Sequence, residues 1–246
     1  MTPPLADFPP DQIPSPPLSV GAQPLVFWYQ RLGHLNYYDL RQLLDLVDGI
    51  PITASQKSSD PGVCSPSLME KHHKSCQRRV PAARIEPPLS LIHSVACGLF
   101  RTSAVSRAKH FILFIDDFAR MTWVYFLKGK GHEETLEAFQ TFKASAEKAS
   151  GRSIRCFRCD NGRGEYDDQH FTDLLKVEGI SYEPAAPYTQ NQNCVSERKF
   201  CIVVERARTI LLEARLPERF WADAVATAVY ILHRSPTKAL TGKTPF

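Results

Sequence analysis

The hydrophobic positions between residues 88 and 234 change repeatedly from strand-like alternation to helix-like spacing. Alternation or a short apolar run predicts a strand, whereas apolar residues three and four apart predict a helix. Five strands are predicted, at Leu89–Ala96, Phe111–Ile115, Thr122–Leu127, Ser153–Cys159 and Ile180–Glu183. Helices are predicted around Phe139, around Leu174, and at about Val195–Ala214 and Glu218–His233. The order βββαβαβαα predicts an α/β fold, a five-stranded mixed sheet flanked by helices.

The residues before this region fall into segments of different composition. Residues 1–24 hold eight of the 19 prolines, so a disordered proline-rich lead is expected there. From Phe27 to Val47 the apolar residues recur at three- and four-residue steps, which predicts one or two short helices. A polar stretch and a basic run follow, and Pro87 and Pro88 mark the boundary to the strand-rich region.

The overall composition is that of a globular protein. Hydrophobic residues make up 43% of the chain and charged residues 23%, which is enough to build a core. The net charge of +4 is compatible with a polyanionic partner but does not by itself indicate one. The seven cysteines lack the spacing of a disulfide scaffold, which favours a reducing compartment. The longest stretch that is apolar apart from one threonine, Ala224–Leu232, is too short to cross a bilayer, and the N-terminus lacks a signal pattern.

Two carboxylates stand in short sequence motifs that are candidates for catalysis. Asp160 follows the fourth predicted strand and precedes Asn-Gly, and Glu197 begins a predicted helix. Each has an ordinary structural interpretation, because Asp-Asn-Gly is typical of turns and a glutamate in a first turn complements the helix dipole. In this order, however, a strand-end carboxylate and a helix-borne glutamate are typical of two-metal phosphodiester chemistry. Mg²⁺ prefers hard oxygen ligands of this kind.

Several ordered phrases resemble the integrase region of copia-type retrotransposon polyproteins. They are Trp28–Leu35, Phe114–Arg120, Arg158–Tyr166, Ala186–Thr189, Phe220–Ala224 and His233–Leu240. The resemblance implies a degenerate zinc-binding pre-integrase segment over residues 25–80 and an RNase H-like integrase catalytic core over residues 88–246. It also implies polynucleotidyl transfer for DNA integration, DNA as the partner, a nuclear location and a place within a longer polyprotein. Homo-oligomers are compatible with it, and no membrane is involved.

The resemblance assigns catalytic roles to two carboxylates and leaves the third position without one. Asp160 aligns with the family's second catalytic aspartate and Glu197 with its glutamate, whereas Val95 stands where the first aspartate belongs. Between Asp160 and Glu197 lie 36 residues, one more than in the family, and Arg163 is the inserted residue. Because valine cannot ligate a cation, Mg²⁺ or Mn²⁺ should bind poorly and strand transfer should be lost. The alternative to an impaired integrase is a non-catalytic nucleic-acid-binding remnant of a transposable element.

The family's zinc site keeps two of its four ligand positions in this chain. His34 and Cys64 remain, but Tyr29 and Ser67 replace a histidine and a cysteine. Because a structural zinc ion needs four ligands, we expect no stoichiometric zinc unless nearby side chains complete another set. The side chains available for that are His72, His73 and Cys76.

Two groups of basic residues are candidates for phosphate contact. The first precedes the core and consists of Lys71, Lys74, Arg78, Arg79 and Arg84. The second is Arg198 and Lys199, next to Glu197. Such residues are usually solvated surface, but the resemblance favours DNA contact at the Arg198 and Lys199 end, independent of sequence and sensitive to salt. Asp116 and Asp117 also follow the family pattern, and their place between two predicted strands favours a turn.

Overall fold

The computed structural model describes residues 25–47, 50, 52–58, 87–98, 100–129, 131–159, 166, 168–184 and 194–245. The strands are β1 (Leu91–Cys97), β2 (His110–Asp116), β3 (Thr122–Leu127), β4 (Cys156–Cys159) and β5 (Ser181–Pro184). The helices are α1 (Leu25–Arg31), α2 (Tyr37–Leu46), α3 (Ala54–Ser58), α4 (His132–Ser150), α5 (Gln169–Val177), α6 (Cys194–Glu213) and α7 (Trp221–His233). Short 3₁₀ turns lie at Glu218–Phe220 and Lys238–Leu240. The predicted order βββαβαβαα is confirmed from β1 onward.

Strand β1 lies at the centre of a five-stranded mixed sheet. The strand order is β3-β2-β1-β4-β5, with β1 antiparallel to β2 and parallel to β4. The parallel register begins with Leu91 opposite Cys156 and ends with Ser94 opposite Cys159. Parallel neighbours need a long connection, which here consists of the β2–β3 hairpin and α4. The predicted fold class, a mixed sheet flanked by helices, is therefore confirmed.

One face of the sheet is covered by α4 and α5 over an aromatic core. Phe114 stacks on Phe142 with ring centroids 4.5 Å apart, and Phe157 packs edge-on against Phe139 at 5.1 Å. Phe171 of α5 lies 5.1 Å from Phe139 in the same cluster. A buried aromatic side chain removes roughly 150–250 Å² of surface from water. These rings therefore hold the short strand β4 firmly against both helices.

The opposite face packs against α6 and α7. In this second core Phe111 and Leu113 of β2 meet Val203 and Ala207 of α6. Helix α7 is apolar on most of its surface, and its alanines at 222, 224 and 228 are buried against the same core. Within the described ranges, no helix combines the length and the apolar character needed to cross a membrane.

Helices α1 and α2 form a small unit with its own core. Leu25, Leu35, Leu40 and Leu43 are buried in it. Asn36 caps α2, because its side-chain oxygen accepts a hydrogen bond from the Asp39 N–H at 2.9 Å. The short helices predicted between residues 27 and 47 are confirmed. The proline-rich lead at 1–24 and the basic group at 71–84 lie outside the described residues.

The first strand begins later than its sequence pattern predicts. The prediction placed its start at Leu89, whereas β1 begins at Leu91. Leu89 has a positive φ of 64° and donates its N–H to Asp116 Oδ1 at 2.8 Å. Its apolar side chain is still buried, so the hydrophobic signal was correct while the backbone conformation was not a strand.

The fourth strand is also shorter than predicted. It begins at Cys156 rather than at Ser153. Upstream of it, the Ile154 N–H donates to Glu147 Oε1 of α4 at 2.9 Å, so a side chain replaces the neighbouring strand as acceptor. The last predicted helix likewise starts as a 3₁₀ turn at Glu218 before α7 proper begins.

We predict that Gly98→Ala destabilises the fold, because Gly98 has a φ of 148° that side chains rarely adopt. A Cβ at this position would also come within 2.0 Å of His110 Nδ1. The expected loss is at least about 1–3 kcal/mol of unfolding free energy from backbone strain, measured by urea denaturation. Gly131→Ala is the matched control, since a Cβ there meets nothing within 4 Å. Equal stability of the two variants would contradict the prediction.

Candidate metal and nucleic-acid site

Val95, which the resemblance aligns with the family's first aspartate, lies on β1 beside the end of β4. Ser94 pairs with Cys159, the last residue of β4, and Val95 follows Ser94. Asp160 comes directly after Cys159 in the chain and lies outside the described residues. The Val95 side chain packs against the core that includes α6 and α7. A hydrocarbon group therefore occupies the position that aligns with the family's first aspartate.

Glu197 lies in the first turn of α6, and its side chain is exposed. Val195, two residues earlier, packs against the same core as Val95. The start of α6 therefore lies on the Val95 side of the sheet, and Val95 and Glu197 belong to elements that pack together. The dipole of α6 stabilises a carboxylate at this end. The pairing of Asp160 with Glu197 as metal ligands stays a prediction, because Asp160 is not described.

Tyr166 fixes the chain shortly after Asp160. Its hydroxyl donates a hydrogen bond to Ser94 Oγ, which in turn donates to the Leu113 carbonyl at 3.1 Å. Its buried ring packs against Phe157 at 5.3 Å and Phe171 at 5.2 Å. The interval 160–165, which contains Asp160 and Arg163, thus lies between two anchored residues, Cys159 and Tyr166. Sequence reasoning missed the Ser94 contact, because its partners are 72 positions apart.

Arg198 and Lys199 occupy different surroundings on α6. Arg198 is exposed next to Glu197, whereas Lys199 is partly buried. Burial lowers the pKa of Lys199 to about 8, and the nearby charges of Arg206 and Arg120 act in the same direction. Because each residue of a helix turns by about 100°, Lys199 and Glu197 project from nearly opposite sides. Arg198 is therefore the better placed of the two for contact with a ligand held at Glu197, and DNA contact by both stays a prediction.

Asp116 and Asp117 form the turn between β2 and β3. Asp116 accepts hydrogen bonds from the N–H groups of Leu89 at 2.8 Å and Ala119 at 2.6 Å. Burial raises the pKa of the Asp116 carboxyl above its usual value. Asp117 lies 3.2 Å from His93 Nε2 and 3.0 Å from Arg120 Nη1. These contacts support the turn interpretation, since the two carboxylates satisfy groups of the hairpin and of β1.

The described zinc-site positions are filled by aromatic packing. The Tyr29 ring is buried, stacks on Tyr37 with centroids 4.3 Å apart, and meets the His34 ring edge-on at 4.9 Å. His34 Nε2 lies 3.8 Å from Glu213 Oε2 of α6. Within the described ranges no group of three or more His, Cys, Asp or Glu side chains could hold a metal ion. Zinc binding at His34 stays a prediction to be tested. The remaining positions, Cys64, Ser67, His72, His73 and Cys76, lie outside the described residues.

The α1–α2 unit is attached to the core through the far end of α6. Gln30 Nε2 donates to Glu213 Oε1 at 2.7 Å. A Cβ on Gly33 would lie 3.2 Å from Ile231 and 3.4 Å from Ile210, so this turn packs closely on α6 and α7. No local sequence signal predicts this attachment, because the partners in the Gln30 contact are 183 positions apart.

His233 joins the end of α7 to the start of β3. Its Nε2 lies 2.7 Å from the Thr122 carbonyl oxygen. Burial lowers the pKa of His233, and the charges of Lys199 and Arg234 lower it further, although the Thr122 contact opposes them. Lys199 and Arg234 thus place positive charge near His233, on the side of α6 that carries Lys199.

Comparison with known proteins identifies the relatives of this chain. It is 33% identical over 218 residues to the retrovirus-related Pol polyprotein from transposon TNT 1-94 of Nicotiana tabacum, covering 89% of this chain and 16% of that protein. It is 32% identical over 228 residues to the retrovirus-related Pol polyprotein from transposon RE1 of Arabidopsis thaliana, covering 89% of this chain and 14% of that protein. The chain is thus similar, over most of its length, to retrovirus-related Pol polyproteins of plant transposons. No protein-family profile matches it.

The comparison of folds agrees with this relationship. The cryoEM structure of the simian T-cell lymphotropic virus intasome in complex with PP2A regulatory subunit B56 gamma matches with a TM-score of 0.50 and 15% identity. The match covers 85% of this chain and 68% of that chain. At such low identity the likeness shows the fold alone, and it confirms the expected RNase H-like arrangement. The chain spans less than a fifth of the length of the polyprotein relatives it matches.

We predict that the purified protein holds well under one zinc ion per chain after dialysis, because Tyr29 and Ser67 stand at two of the four positions that the resemblance assigns to zinc ligands. Elemental analysis of the purified protein measures this, and a chelator should leave the Tm unchanged. The variant Tyr29→His with Ser67→Cys restores four ligand positions and should bind one zinc ion. One tightly held equivalent in the unmodified chain would show instead that His72, His73 or Cys76 completes a site.

We predict that His233 contributes to acid destabilisation of the core. Its folded-state pKa lies below the ordinary 6.5, so the unfolded chain binds the proton more readily. The associated stability is complete above pH 6.5 and is lost as the pH falls toward the folded-state pKa. His233→Gln should therefore lose less Tm than the parent between about pH 7.5 and about pH 5. The control His170→Gln removes a histidine whose side chain is 84% exposed, and its Tm should fall with pH as the parent's does. If the Tm of His233→Gln also fell as much as the parent's, the role given to His233 would be refuted.

Proposed function

We propose that the chain is a DNA-binding integrase core whose strand-transfer chemistry is silenced at Val95. The relationship to retrotransposon Pol polyproteins and the RNase H-like fold support the integrase part of this proposal. The observation that carries the silencing is the position of Val95, which lies one residue beyond the β1–β4 register, with its side chain packed against apolar residues of the core.

The chemistry explains why one substitution has so large an effect. Phosphodiester transfer uses two divalent cations, one activating the nucleophile and one stabilising the leaving oxygen. A carboxylate must bridge them, and Mg²⁺ demands near-octahedral oxygen coordination and loses water reluctantly. Val95 offers no oxygen, so the two remaining carboxylates, Asp160 and Glu197, do not fit a paired Mg²⁺ or Mn²⁺ site. We therefore derive no metal-dependent step for this chain.

DNA is the partner that the remaining features favour. Arg198 is exposed beside Glu197, and the chain has an excess of four cationic residues. Contacts of Arg and Lys with phosphates are independent of base sequence and weaken as salt rises. Action on chromosomal DNA would place the protein in the nucleus, and homo-oligomers would accord with the intasome that shares its fold.

A non-catalytic nucleic-acid-binding remnant is the alternative. It is supported by the anchoring of Tyr166 on Ser94, because this contact holds the scaffold beside Val95 by packing and hydrogen bonding alone. The two proposals differ in one respect. A silenced core should recover metal binding when its missing carboxylate is restored, whereas a remnant that has diverged further should not.

We predict that Val95→Asp raises the affinity for Mn²⁺ or Mg²⁺ by at least tenfold, because the bridging carboxylate returns. Calorimetry measures the binding, and addition of metal should raise the Tm of this variant and not that of the parent. Strand transfer should need the further deletion of Arg163, because a misplacement of about 1 Å costs on the order of a hundredfold in rate. The assay joins a labelled donor end to target DNA.

Two controls make the Val95 experiment decisive. Val204→Asp places a carboxylate at another partly buried position of the same core and should leave metal affinity unchanged. Glu197→Gln in the Val95→Asp background should abolish the gain. Strand transfer by the unmodified chain would overturn the proposed silencing, and unchanged metal affinity in a folded Val95→Asp variant would favour the remnant.

A further inference from the structure

Two loops meet at the C-terminal end of α6. One is the β1–β2 loop, described over residues 100–109, and the other is the α6–α7 turn at residues 214–220. We call them together the basic loop surface. They lie far apart in the sequence, and the sequence patterns give no sign that they meet.

Hydrogen bonds and a ring stack join the two loops. Trp221 Nε1 donates to the Thr102 carbonyl at 3.0 Å, and Thr102 Oγ1 donates to Glu218 Oε2 at 2.7 Å. The Val105 N–H donates to the Arg219 carbonyl at 3.0 Å. In addition, Phe100 stacks on Trp221 with ring centroids 4.1 Å apart. The two loops therefore form one continuous, well-supported surface.

The charge of this surface is strongly unbalanced. It carries five exposed cationic side chains, Arg101, Arg107, Lys109, Arg215 and Arg219. Its single carboxylate, Glu218, already accepts the hydrogen bond from Thr102. Among the described residues, no carboxylate forms an ion pair with any of the five cations. The surface thus has an excess of four positive charges, equal to the excess of the whole 246-residue chain, so the remaining residues are neutral in sum.

We infer that the basic loop surface binds the phosphodiester backbone of duplex DNA. Four of its five cations are arginines, whose planar guanidinium group binds phosphate oxygens in pairs. The arginines at 107 and 215 have positive φ values of 65° and 50°, which indicates tightly turned backbone in both loops. Val105 and Leu216 are 61% and 44% exposed within the surface, and these aliphatic side chains suit the apolar edges of the sugars.

The surface lies one helix length from Glu197. From Glu197 to Glu213, helix α6 advances about 24 Å at 1.5 Å per residue. A duplex rises about 3.4 Å per base pair, so this distance corresponds to roughly seven base pairs. Arg208 lies eleven residues after Glu197, which is close to three turns and therefore on the same side of α6. A duplex that follows α6 would meet Arg198 at one end and the basic loop surface at the other.

The test compares two double charge reversals in the full chain, each removing two cations. Arg107→Glu with Arg219→Glu should lower the affinity for a duplex of about 16 base pairs at least tenfold, and should reduce the salt slope by about two. The control, Lys148→Glu with Arg152→Glu, changes exposed cations at the end of α4. It should stay within about twofold of the parent. Fluorescence anisotropy over a range of salt concentrations gives both quantities.

A second measurement keeps the chain unmodified and guards against misfolding of the variants. Bound duplex should protect Lys109 from an amine-acylating reagent and leave Lys148 reactive. The inference would be overturned if bound duplex left the reactivity of Lys109 unchanged. It would also be overturned if the folded double variant Arg107→Glu, Arg219→Glu bound DNA as tightly as the control variant. A double reversal at Arg107 and Arg219 that loses binding to polyglutamate but keeps its binding to duplex DNA would also overturn the inference. That result would assign the surface to an acidic protein. The inference rests on the proposed function, and a parent chain that binds no duplex would refute that function as well.

Discussion

The parallel pairing of β1 with β4 is the constraint on which the rest of the structure depends. Main-chain hydrogen bonds fix Ser94 beside Cys159, and this register decides which side chains face each core. A slip of one residue would exchange the two faces of a strand. It would place Ile92 toward α6 and Val95 toward the aromatic core under α4. The closeness of Val95 to the chain that leads into Asp160 follows from this single pairing.

The order of elements could be predicted from the sequence because each strand and helix has a clear hydrophobic period. Boundaries were less predictable where polar groups decide them, as at Leu89, whose N–H is taken by Asp116, and at Ile154, whose N–H is taken by Glu147. The candidate site is predicted only through the resemblance, since Asp160 or Glu197 alone is ordinary turn or helix chemistry. The contacts that fix the surrounding elements, Tyr166 with Ser94 on β1 and Gln30 with Glu213 at the far end of α6, join distant parts of the chain. Periodicity and motifs do not report contacts of that kind.

The α1–α2 unit is held together and attached to the core by packing. A zinc ion organises a small domain because it links side chains that have too little apolar surface to hold together. Here the phenol of Tyr29 is buried between Tyr37 and His34. Glu213 of α6 accepts a hydrogen bond from Gln30, and His34 lies 3.8 Å from the same carboxylate. The unit is thus attached to the core, which gives it a larger partner to pack on.

The anchoring of Tyr166 on β1 holds the fold by contacts that lie outside the interval containing Asp160. Strand β4 ends at Cys159 and the chain is fixed again at Tyr166, so the elements on either side of this interval are each held by their own contacts. A fold held in this way can therefore persist whether or not the carboxylate inside the interval keeps a chemical role.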